Sequence, residues 1–253
     1  MSDPTRRFSS RVDNYVKYRP GYPRGIIELL SAECGLTPTA LVADVGSGTG
    51  ILAGLLLQHG NRVYGVEPNR EMREAAERHL KHYAAFASID GKAEATTLET
   101  DSVDIITVGQ AFHWFDQGQA RVEFMRILKP GGWTALIWNE RRLTASDFHR
   151  DLEDLLLQFG TDYALVRHEC VYDDIAAFFG TNSFKLVTFD NFQQLDLEGL
   201  KGRICSASYA PEPGQPNFEP LLEQLLALFR TYEKSGTVTI EYDTKVYYGQ
   251  MSN

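Results

Sequence analysis

The segment Leu41-Val42-Ala43-Asp44-Val45-Gly46-Ser47-Gly48-Thr49-Gly50 decides the fold that we predict for this chain. Five mostly apolar residues lead into three glycines at alternate positions, and a second apolar run follows from Ile51 to Leu57. This order indicates a buried strand, a tight glycine turn and a helix, the first unit of a nucleotide-binding α/β sheet. Glycine suits the turn because the backbone must bend sharply and let a ligand approach without a Cβ atom in the way.

Two carboxylates near this turn narrow the choice of ligand. Asp44 lies beside the turn, where it would repel the pyrophosphate of a dinucleotide but suits a ligand that carries positive charge. Glu67 follows the run from Arg62 to Val66, about 20 residues after Gly46, where an acid at the tip of the second strand can bind both ribose hydroxyls. A nucleoside with a cationic tail that lacks phosphate, such as S-adenosyl-L-methionine (SAM), fits both carboxylates.

Four segments carry a resemblance to a known family: Val42 to Gly50, Val66 to Met72, Gly91 to Trp114, and Ile127 to Glu140. They resemble the class I SAM-dependent methyltransferases of the broad type-11 group. The stretch from Phe8 to Pro23 resembles the subset that includes trans-aconitate methyltransferase. The resemblance covers the N-terminal half well, and the C-terminal half matches mainly in layout. It implies an EC 2.1.1 enzyme that uses SAM and releases S-adenosyl-L-homocysteine (SAH).

The fold that follows is a doubly wound α/β domain with a mostly parallel, seven-stranded, Rossmann-like sheet. We expect a single methyltransferase domain over residues 1–253, an N-terminal lid over 1–22, and a helical cap insertion over 139–183 before strand six. Strands one and four should flank the point where the strand order reverses, which is where open α/β sheets bind ligands. We predict a turn at Lys129 to Gly132, before a fifth strand from Trp133 to Trp138.

The resemblance also implies a set of cofactor-binding residues. The lid would bring Tyr15, Tyr18 and Arg19 to the methionine end of SAM, where Arg19 can pair with the carboxylate. The loop that begins at Gly91 holds the adenine in the family, often through an acid where this chain has Lys92, which leaves that contact to Ala93 or Glu94. The predicted set is Tyr15, Tyr18, Arg19, Asp44, Gly46, Ser47, Gly48, Gly50, Glu67, Pro68, Met72, Ala93, Glu94, Gln110, Ala111 and His113.

His113 is the candidate catalytic residue, and its role depends on the acceptor. It lies in the exit loop of the fourth strand and can act as a base or as a wall residue hydrogen-bonded to the backbone. Methyl transfer requires no metal, and a base is needed only if the nucleophile carries a proton at neutral pH. A carboxylate does not, whereas a hydroxyl, a phenol or an amine usually does.

The acceptor itself has no motif of its own in the sequence. Candidate ligands for a carboxylate are Arg19, Arg141, Arg142, Arg167 and His168, in segments expected near the pocket mouth. An arginine fork matches two carboxylate oxygens and stays charged. We therefore place a small organic acid slightly ahead of a neutral hydroxyl or phenol.

Composition restricts the partners. The net charge is −9, and no basic stripe offers a surface for a nucleic-acid backbone. No apolar run approaches the ~20 residues of a membrane span, and the polar start is no signal peptide. The three separated cysteines, Cys34, Cys170 and Cys205, suggest reduced thiols and a cytoplasmic protein. The oligomeric state cannot be predicted from the sequence.

Two other functions stay open at this point. An NAD-dependent oxidoreductase shares the sheet and the ribose-binding acid. Asp44 disfavours this function, and so does Gly50, because this third glycine comes one residue earlier than in the G-x-G-x-x-G spacing of dinucleotide sites. A non-catalytic SAM-binding protein would have the same sequence features, because a fold does not determine a function.

Overall fold

A computed structural model describes residues 12–161, 163, 171–180 and 184–251 of the chain. Its centre is a seven-stranded sheet in the order β3-β2-β1-β4-β5-β7-β6. The strands are β1 Leu41–Val45, β2 Arg62–Val66, β3 Phe86–Ile89, β4 Val103–Gly109, β5 Leu128–Arg141, β6 Phe184–Leu195 and β7 Val238–Gly249. The first five strands are parallel, and β7 lies antiparallel between β5 and β6. The predicted mostly parallel, seven-stranded α/β sheet is confirmed.

Helices cover both faces of this sheet. They are α1 Val12–Tyr18, α2 Gly25–Cys34, α3 Ile51–His59, α4 Arg70–Leu80, α5 Gln117–Ile127, α6 Asp147–Phe159, α7 Val171–Phe179, α8 Leu197–Cys205 and α9 Phe218–Tyr232. Neighbouring residues of a strand face opposite sides, so Val42 packs in one core cluster with Leu52 of α3, and Ala43 packs in another with Phe124 of α5. The sheet is therefore doubly wound, and β1 and β4 meet at the point where the strand order reverses.

The fifth strand differs from the prediction. It begins at Leu128 and includes the residues expected as a turn. Val103 of β4 pairs with Leu128, and Ile105 pairs with Trp133. Between these two pairs β5 has more residues than β4, so β5 bulges there. Gly131, with a φ of 80°, lies in this bulge. A proline-glycine sequence predicts that the chain changes direction. It does not predict that residues before and after it pair with the same neighbouring strand.

The N-terminal segment forms a short helix before Pro20 and lies against α8. A Cβ atom on Gly202 would be 2.1 Å from the ring of Tyr18, so the ring packs directly on the α8 backbone. Between β5 and β6 the chain forms α6 and α7, and β5 extends into the first three residues of the predicted insertion, 139–183. Our predictions for residues 1–11 and for Arg167, His168 and Cys170 lie outside the described residues.

The described residues contain neither a membrane-spanning helix nor a cluster of metal ligands. No helix there is long and apolar enough to cross a bilayer. Within the same residues, no group of three or more histidine, cysteine, aspartate or glutamate side chains is arranged to hold a metal ion.

Candidate active site

A cavity of about 590 Å³ lies at the carboxyl ends of β1, β2 and β4. Its position is where an open α/β sheet binds its ligand, because the strand order reverses between β1 and β4. The residues along it are Tyr15, Gly46, Gly48, Glu67, Pro68, Asn69, Met72, Lys92, Ala93, Glu94, Ala95, Gly109, Gln110, Ala111, Trp114, Phe115, Asp116 and Gln119.

The glycine turn forms the floor of this cavity next to β1. Gly46, Gly48 and Gly50 have φ angles of 69°, 54° and 82°, a region that residues with a Cβ atom rarely adopt. A Cβ atom on Gly46 would lie 2.5 Å from Cβ of Ala111, so the turn also packs against the exit loop of β4. On Gly48 it would meet no atom within 4 Å. Gly48 therefore leaves open space along the cavity.

Glu67 connects the end of β2 to this turn. One carboxylate oxygen accepts a hydrogen bond from the Gly48 N–H at 2.9 Å, and the other accepts one from the Asn69 N–H at 2.9 Å. The side chain is 9% exposed, and burial raises the pKa of its carboxyl above the ordinary value. Two oxygens have about four acceptor positions, so Glu67 can accept two further hydrogen bonds from ligand hydroxyls.

Asp44 is buried beneath the turn rather than exposed along the cavity. It is 1% exposed, and its Oδ1 atom accepts a hydrogen bond from the Thr107 hydroxyl at 2.9 Å. Its Oδ2 atom is buried and has no hydrogen-bond partner among the described residues. Burial raises the pKa of Asp44 to about 7. A cationic group close to the turn would stabilise its ionised form.

The start of α4 forms the adjoining wall. Asn69 caps the helix, and its side chain accepts a hydrogen bond from the Met72 N–H at 2.9 Å. Met72 is 4% exposed and packs in a small apolar cluster with Tyr15. The first turn of α4 thus offers an apolar surface, and Tyr15 of the N-terminal segment covers it.

Two loops meet on the opposite side. The Glu94 carboxylate accepts a hydrogen bond from the Asp116 N–H at 2.8 Å, and this bond joins the loop after β3 to the loop after β4. Lys92 also lies along the cavity. Gln110 has a φ of 58° and donates a hydrogen bond to the Asn139 carbonyl at 3.2 Å, which ties the exit loop of β4 to β5.

Ten of the predicted residues therefore line one cavity: Tyr15, Gly46, Gly48, Glu67, Pro68, Met72, Ala93, Glu94, Gln110 and Ala111. Six do not: Tyr18, Arg19, Asp44, Ser47, Gly50 and His113. The His113 ring lies 4.7 Å from that of Trp114, in a short 3₁₀ helix Phe112–Trp114. Eight lining residues were not predicted from the sequence: Asn69, Lys92, Ala95, Gly109, Trp114, Phe115, Asp116 and Gln119. Most of them are next to predicted residues in the sequence, so their position beside those residues could have identified them.

The N-terminal arginine lies behind the cavity wall. The Arg19 guanidinium is 4.6 Å from the centre of the Tyr15 ring, and its Nη2 atom donates to the Ser206 carbonyl at 2.9 Å. Arg19 thus packs on the ring of Tyr15, which itself lines the cavity.

The two arginines after β5 differ in their surroundings. Arg141 is 9% exposed and donates to the Glu153 carboxylate and to the Tyr163 hydroxyl, both at 2.6 Å. Arg142 is 32% exposed and forms ion pairs with three acids, Asp190, Glu241 and Asp243. Because these acids satisfy Arg142, it is poorly suited to bind a further anion.

Known proteins resemble this chain in sequence and in fold. Residues 43–136 match a family model described as a methyltransferase domain. An uncharacterized methyltransferase of Mycobacterium tuberculosis is 38% identical over 247 residues, which cover 96% of this chain and 94% of the relative. A structure from Anaeromyxobacter dehalogenans, described as a type II methyltransferase, has a TM-score of 0.69 at 18% identity and covers 93% of this chain and 100% of its own. A SAM-dependent methyltransferase of Geobacter sulfurreducens in complex with SAH has a TM-score of 0.52 at 17% identity, with full coverage of both chains. The two structures show similarity of fold.

Proposed function

The chain belongs to the class I SAM-dependent methyltransferases, and from this premise we propose that it methylates a small-molecule acceptor on a carboxylate oxygen. The main observation is the single cavity that joins Glu67, the glycine turn and the exit loop of β4. Its volume of about 590 Å³ lies within the usual range of ~300–1,000 Å³ for small-molecule sites.

The residues along and beneath the cavity fit SAM. We propose that Glu67 accepts hydrogen bonds from both ribose hydroxyls with its remaining acceptor positions. Met72 and Ala93 would contact the adenine, and the buried Oδ2 atom of Asp44 favours a cationic tail over a pyrophosphate. Arg19, behind Tyr15, is the proposed partner of the methionine carboxylate.

SAM, when bound, supplies a methyl group activated by a positively charged sulfur. The protein then has to hold the acceptor in line with that group and exclude competing water. We propose that residues 12–22 act as a lid that excludes water. Tyr15 covers the cavity wall at Met72, and the ring of Tyr18 packs against the backbone of α8. The exit loop of β4 would orient the acceptor.

A carboxylate acceptor needs no base among the residues along the cavity. The three carboxylates there, Glu67, Glu94 and Asp116, each accept hydrogen bonds from backbone N–H groups, which hold them in the cavity wall. His113 is not among the described lining residues. A nucleophile that is already ionised at neutral pH needs no base from the protein.

The test combines binding with transfer. Calorimetric titration with SAM, SAH and NAD should show binding of the first two only. Methyl-labelled SAM is then incubated with carboxylic acids, phenols, alcohols and amines, and products are identified by mass spectrometry. A carboxyl methyl ester releases methanol in mild base, whereas a methyl ether or a methylamine does not. NAD binding would favour the oxidoreductase, SAM binding without transfer would favour a non-catalytic role, and base-stable products would exclude the carboxylate.

A further inference from the structure

The segment between α1 and α2 brings the Tyr22 side chain against the end of β4. A Cβ atom on Gly109 would lie 2.6 Å from the Tyr22 hydroxyl oxygen, so this hydroxyl packs directly on the Gly109 backbone. Gly109 is the last residue of β4 and lines the cavity. The Tyr22 ring packs against the apolar cluster that contains Ile26 of α2 and Leu52 of α3. Tyr22 therefore approaches the cavity through Gly109, from the face of the sheet that α2 and α3 cover.

The Asp44 side chain lies on this same face. Asp44 pairs across the sheet with Thr107 of β4 and accepts a hydrogen bond from its hydroxyl. Thr107 and Gly109 are two residues apart on one strand, so they face the same side. Burial, and then the neighbouring Tyr15 and Asp44, raise the pKa of Tyr22 well above its ordinary value. Tyr22 is therefore a neutral hydroxyl at pH 7.

Two asparagines fix the backbone next to Tyr22. The Gly21 carbonyl accepts a hydrogen bond from Nδ2 of Asn139 on β5 at 3.2 Å and another from Nδ2 of Asn191 on β6 at 3.0 Å. The Oδ1 atom of Asn139 accepts in turn from Asn191 at 3.1 Å and from the Thr244 hydroxyl at 2.5 Å. Because both ends of the Asn139 amide are hydrogen-bonded, its orientation is determined. The Asn139 side chain thus places Gly21, and with it Tyr22.

A second set of contacts fixes the same segment at Tyr18. The Tyr18 carbonyl accepts a hydrogen bond from the side chain of Gln193 on β6 at 3.0 Å. Gln193 accepts one from the Tyr242 hydroxyl at 2.8 Å, and that hydroxyl accepts one from Nε of Arg203 on α8 at 3.1 Å. Tyr242 and Arg203 are both buried. The backbone before Tyr22 is therefore held at two points by the folded core.

Asn139 also connects Tyr22 to the exit loop of β4. Its backbone carbonyl accepts a hydrogen bond from the Gln110 side chain at 3.2 Å, and the Gln110 N–H donates to the Ile137 carbonyl at 2.9 Å. Gln110 has a φ of 58°, and a strained backbone of this kind persists only where its surroundings hold it. One residue of β5 thus positions Tyr22 through its side chain and Gln110 through its carbonyl, on either side of Gly109.

We propose that Tyr22 is a further catalytic residue, whose hydroxyl lies beside the transferred methyl group and donates a hydrogen bond to the reacting group of the acceptor. Asn139 and Asn191 are its positioning residues. The inference rests on the proposed function, which places a cationic group near Asp44 and the acceptor at the exit loop of β4. The Tyr22 hydroxyl lies where these two places meet.

The chemistry of this position suits a neutral hydroxyl. In the transfer, an oxygen of the acceptor bonds to the methyl carbon while the carbon–sulfur bond breaks and its electron pair stays on sulfur. A carboxylate has no proton to lose, so Tyr22 keeps its own and only orients the acceptor. A neutral donor does so without cancelling the negative charge of the nucleophile. No residue that the structure describes forms a hydrogen bond with the Tyr22 hydroxyl, so it is available to a ligand.

Binding of two cofactor analogues to Tyr22→Phe tests the placement without turnover. Sinefungin carries an amino group at the position of the transferred methyl group, and SAH carries nothing there. In calorimetry, Tyr22→Phe should weaken sinefungin by about tenfold or more, the range for a lost hydrogen bond to a charged group. Its affinity for SAH should stay within about twofold of that of the unaltered protein. With an acceptor found by the transfer screen, Tyr22→Phe should lower kcat/KM for that acceptor about tenfold and leave the KM for SAM unchanged.

Asn139→Asp tests the positioning role. The carboxylate keeps both acceptor contacts but no longer donates to the Gly21 carbonyl, so it should weaken sinefungin and spare SAH, as Tyr22→Phe does. The double variant should lose little more than Tyr22→Phe alone, because both changes remove one contact. If Asn139→Asp does not fold, Asn191→Ala removes the other bond to Gly21 at a less buried position and should give the same pattern.

Asn61→Asp is the matched control. Asn61 is also buried, and its Nδ2 atom donates to the carbonyls of Thr37 and Ala40 at 2.8 and 2.9 Å, before the start of β1. The substitution removes the same kind of bond at the other end of the strands. It should lower the free energy of unfolding and leave the ratio of the sinefungin and SAH affinities unchanged.

Several results would overturn the inference. Unchanged sinefungin affinity in Tyr22→Phe would remove the hydroxyl from the methyl position, and equal losses for SAH and sinefungin would assign it to the amino-acid tail of the cofactor. Additive losses in the double variant would show that Asn139 does not act through Tyr22. Because binding requires no turnover, a protein that binds sinefungin through Tyr22 but transfers no methyl group would overturn the proposed function and keep the placement of Tyr22.

Discussion

The carboxylate of Glu67 accepts a hydrogen bond from the backbone N–H of Gly48 at 2.9 Å, so the acid at the end of β2 holds the glycine turn at the end of β1. The same side chain is the proposed ribose ligand. On this proposal one carboxylate both positions the turn and binds the cofactor, so a substitution should affect both.

Glu67→Ala should weaken SAM binding strongly. It removes two proposed charge-assisted bonds to the ribose, each worth roughly 1.5–3 kcal/mol, and frees the N–H groups of Gly48 and Asn69. Calorimetry with SAM measures the loss, and thermal unfolding without ligand measures the separate cost of the released turn. Unchanged SAM affinity in a folded variant would exclude Glu67 as the ribose ligand.

Asp44 should make the stability of the ligand-free protein depend on pH. Burial raises the folded pKa to about 7, above the unfolded value of ~3.9, so the folded chain binds the proton more tightly. This contribution is fully present below about pH 4 and is lost as the pH rises through 7, at roughly 1.4 kcal/mol per unit of pKa difference. Urea unfolding of the unaltered protein and of Asp44→Asn across this range measures it. Because the pKa of Glu67 shifts in the same direction, the difference between the two proteins is the quantity to compare, and parallel curves would contradict the prediction.

Asp44→Asn should also weaken SAM while it leaves adenosine binding nearly intact. The ionised carboxylate favours the cationic tail of SAM, which adenosine lacks, and the amide removes that attraction. For the unaltered protein, SAM affinity should rise toward pH 7 as Asp44 ionises. Parallel calorimetric titrations with SAM and adenosine provide the comparison. Equal losses for both ligands would mean that Asp44 acts by supporting the turn.

His113→Gln should keep most of the methyl-transfer activity. A carboxylate acceptor is already ionised, and His113 does not line the described cavity. The rate should be flat between about pH 6 and 9, a range around the ~6.5 reference pKa of histidine. Initial rates of both proteins across this range test the expectation. A large loss, together with a histidine-like limb in the unaltered protein, would indicate a protonated nucleophile instead.

Gly48→Ala and Gly46→Ala should separate ligand binding from stability. Both positions have left-handed backbone, which costs a residue with a Cβ atom about 1–2 kcal/mol. At Gly46 the new methyl group would also overlap Ala111, whereas at Gly48 it meets no protein atom and points into open space. Urea unfolding should therefore show the larger loss for Gly46→Ala, and Gly48→Ala should mainly reduce SAM affinity. A larger loss of stability for Gly48→Ala than for Gly46→Ala would contradict this prediction.

Much of this architecture could be predicted from residue order. The alternation of apolar runs with glycine turns predicts parallel strands linked by helices, and the sheet and its strand-order reversal between β1 and β4 are as expected. The bulge at Gly131 could not be predicted, because it depends on the register with β4, and register is a property of two strands together.

The sequence by itself determined the fold class, the family, and the carboxylates beside the glycine turn, because these depend on residue type and short-range spacing. Only the tertiary structure decided that Asp44 is buried while Glu67 meets the cavity, although both lie at the carboxyl ends of neighbouring strands. It also brought Arg203 next to Tyr242, with Arg141 as the cross-strand partner of that tyrosine. These residues are far apart in the chain, and whether an arginine is solvated or buried without a partner depends on what the folded chain packs around it.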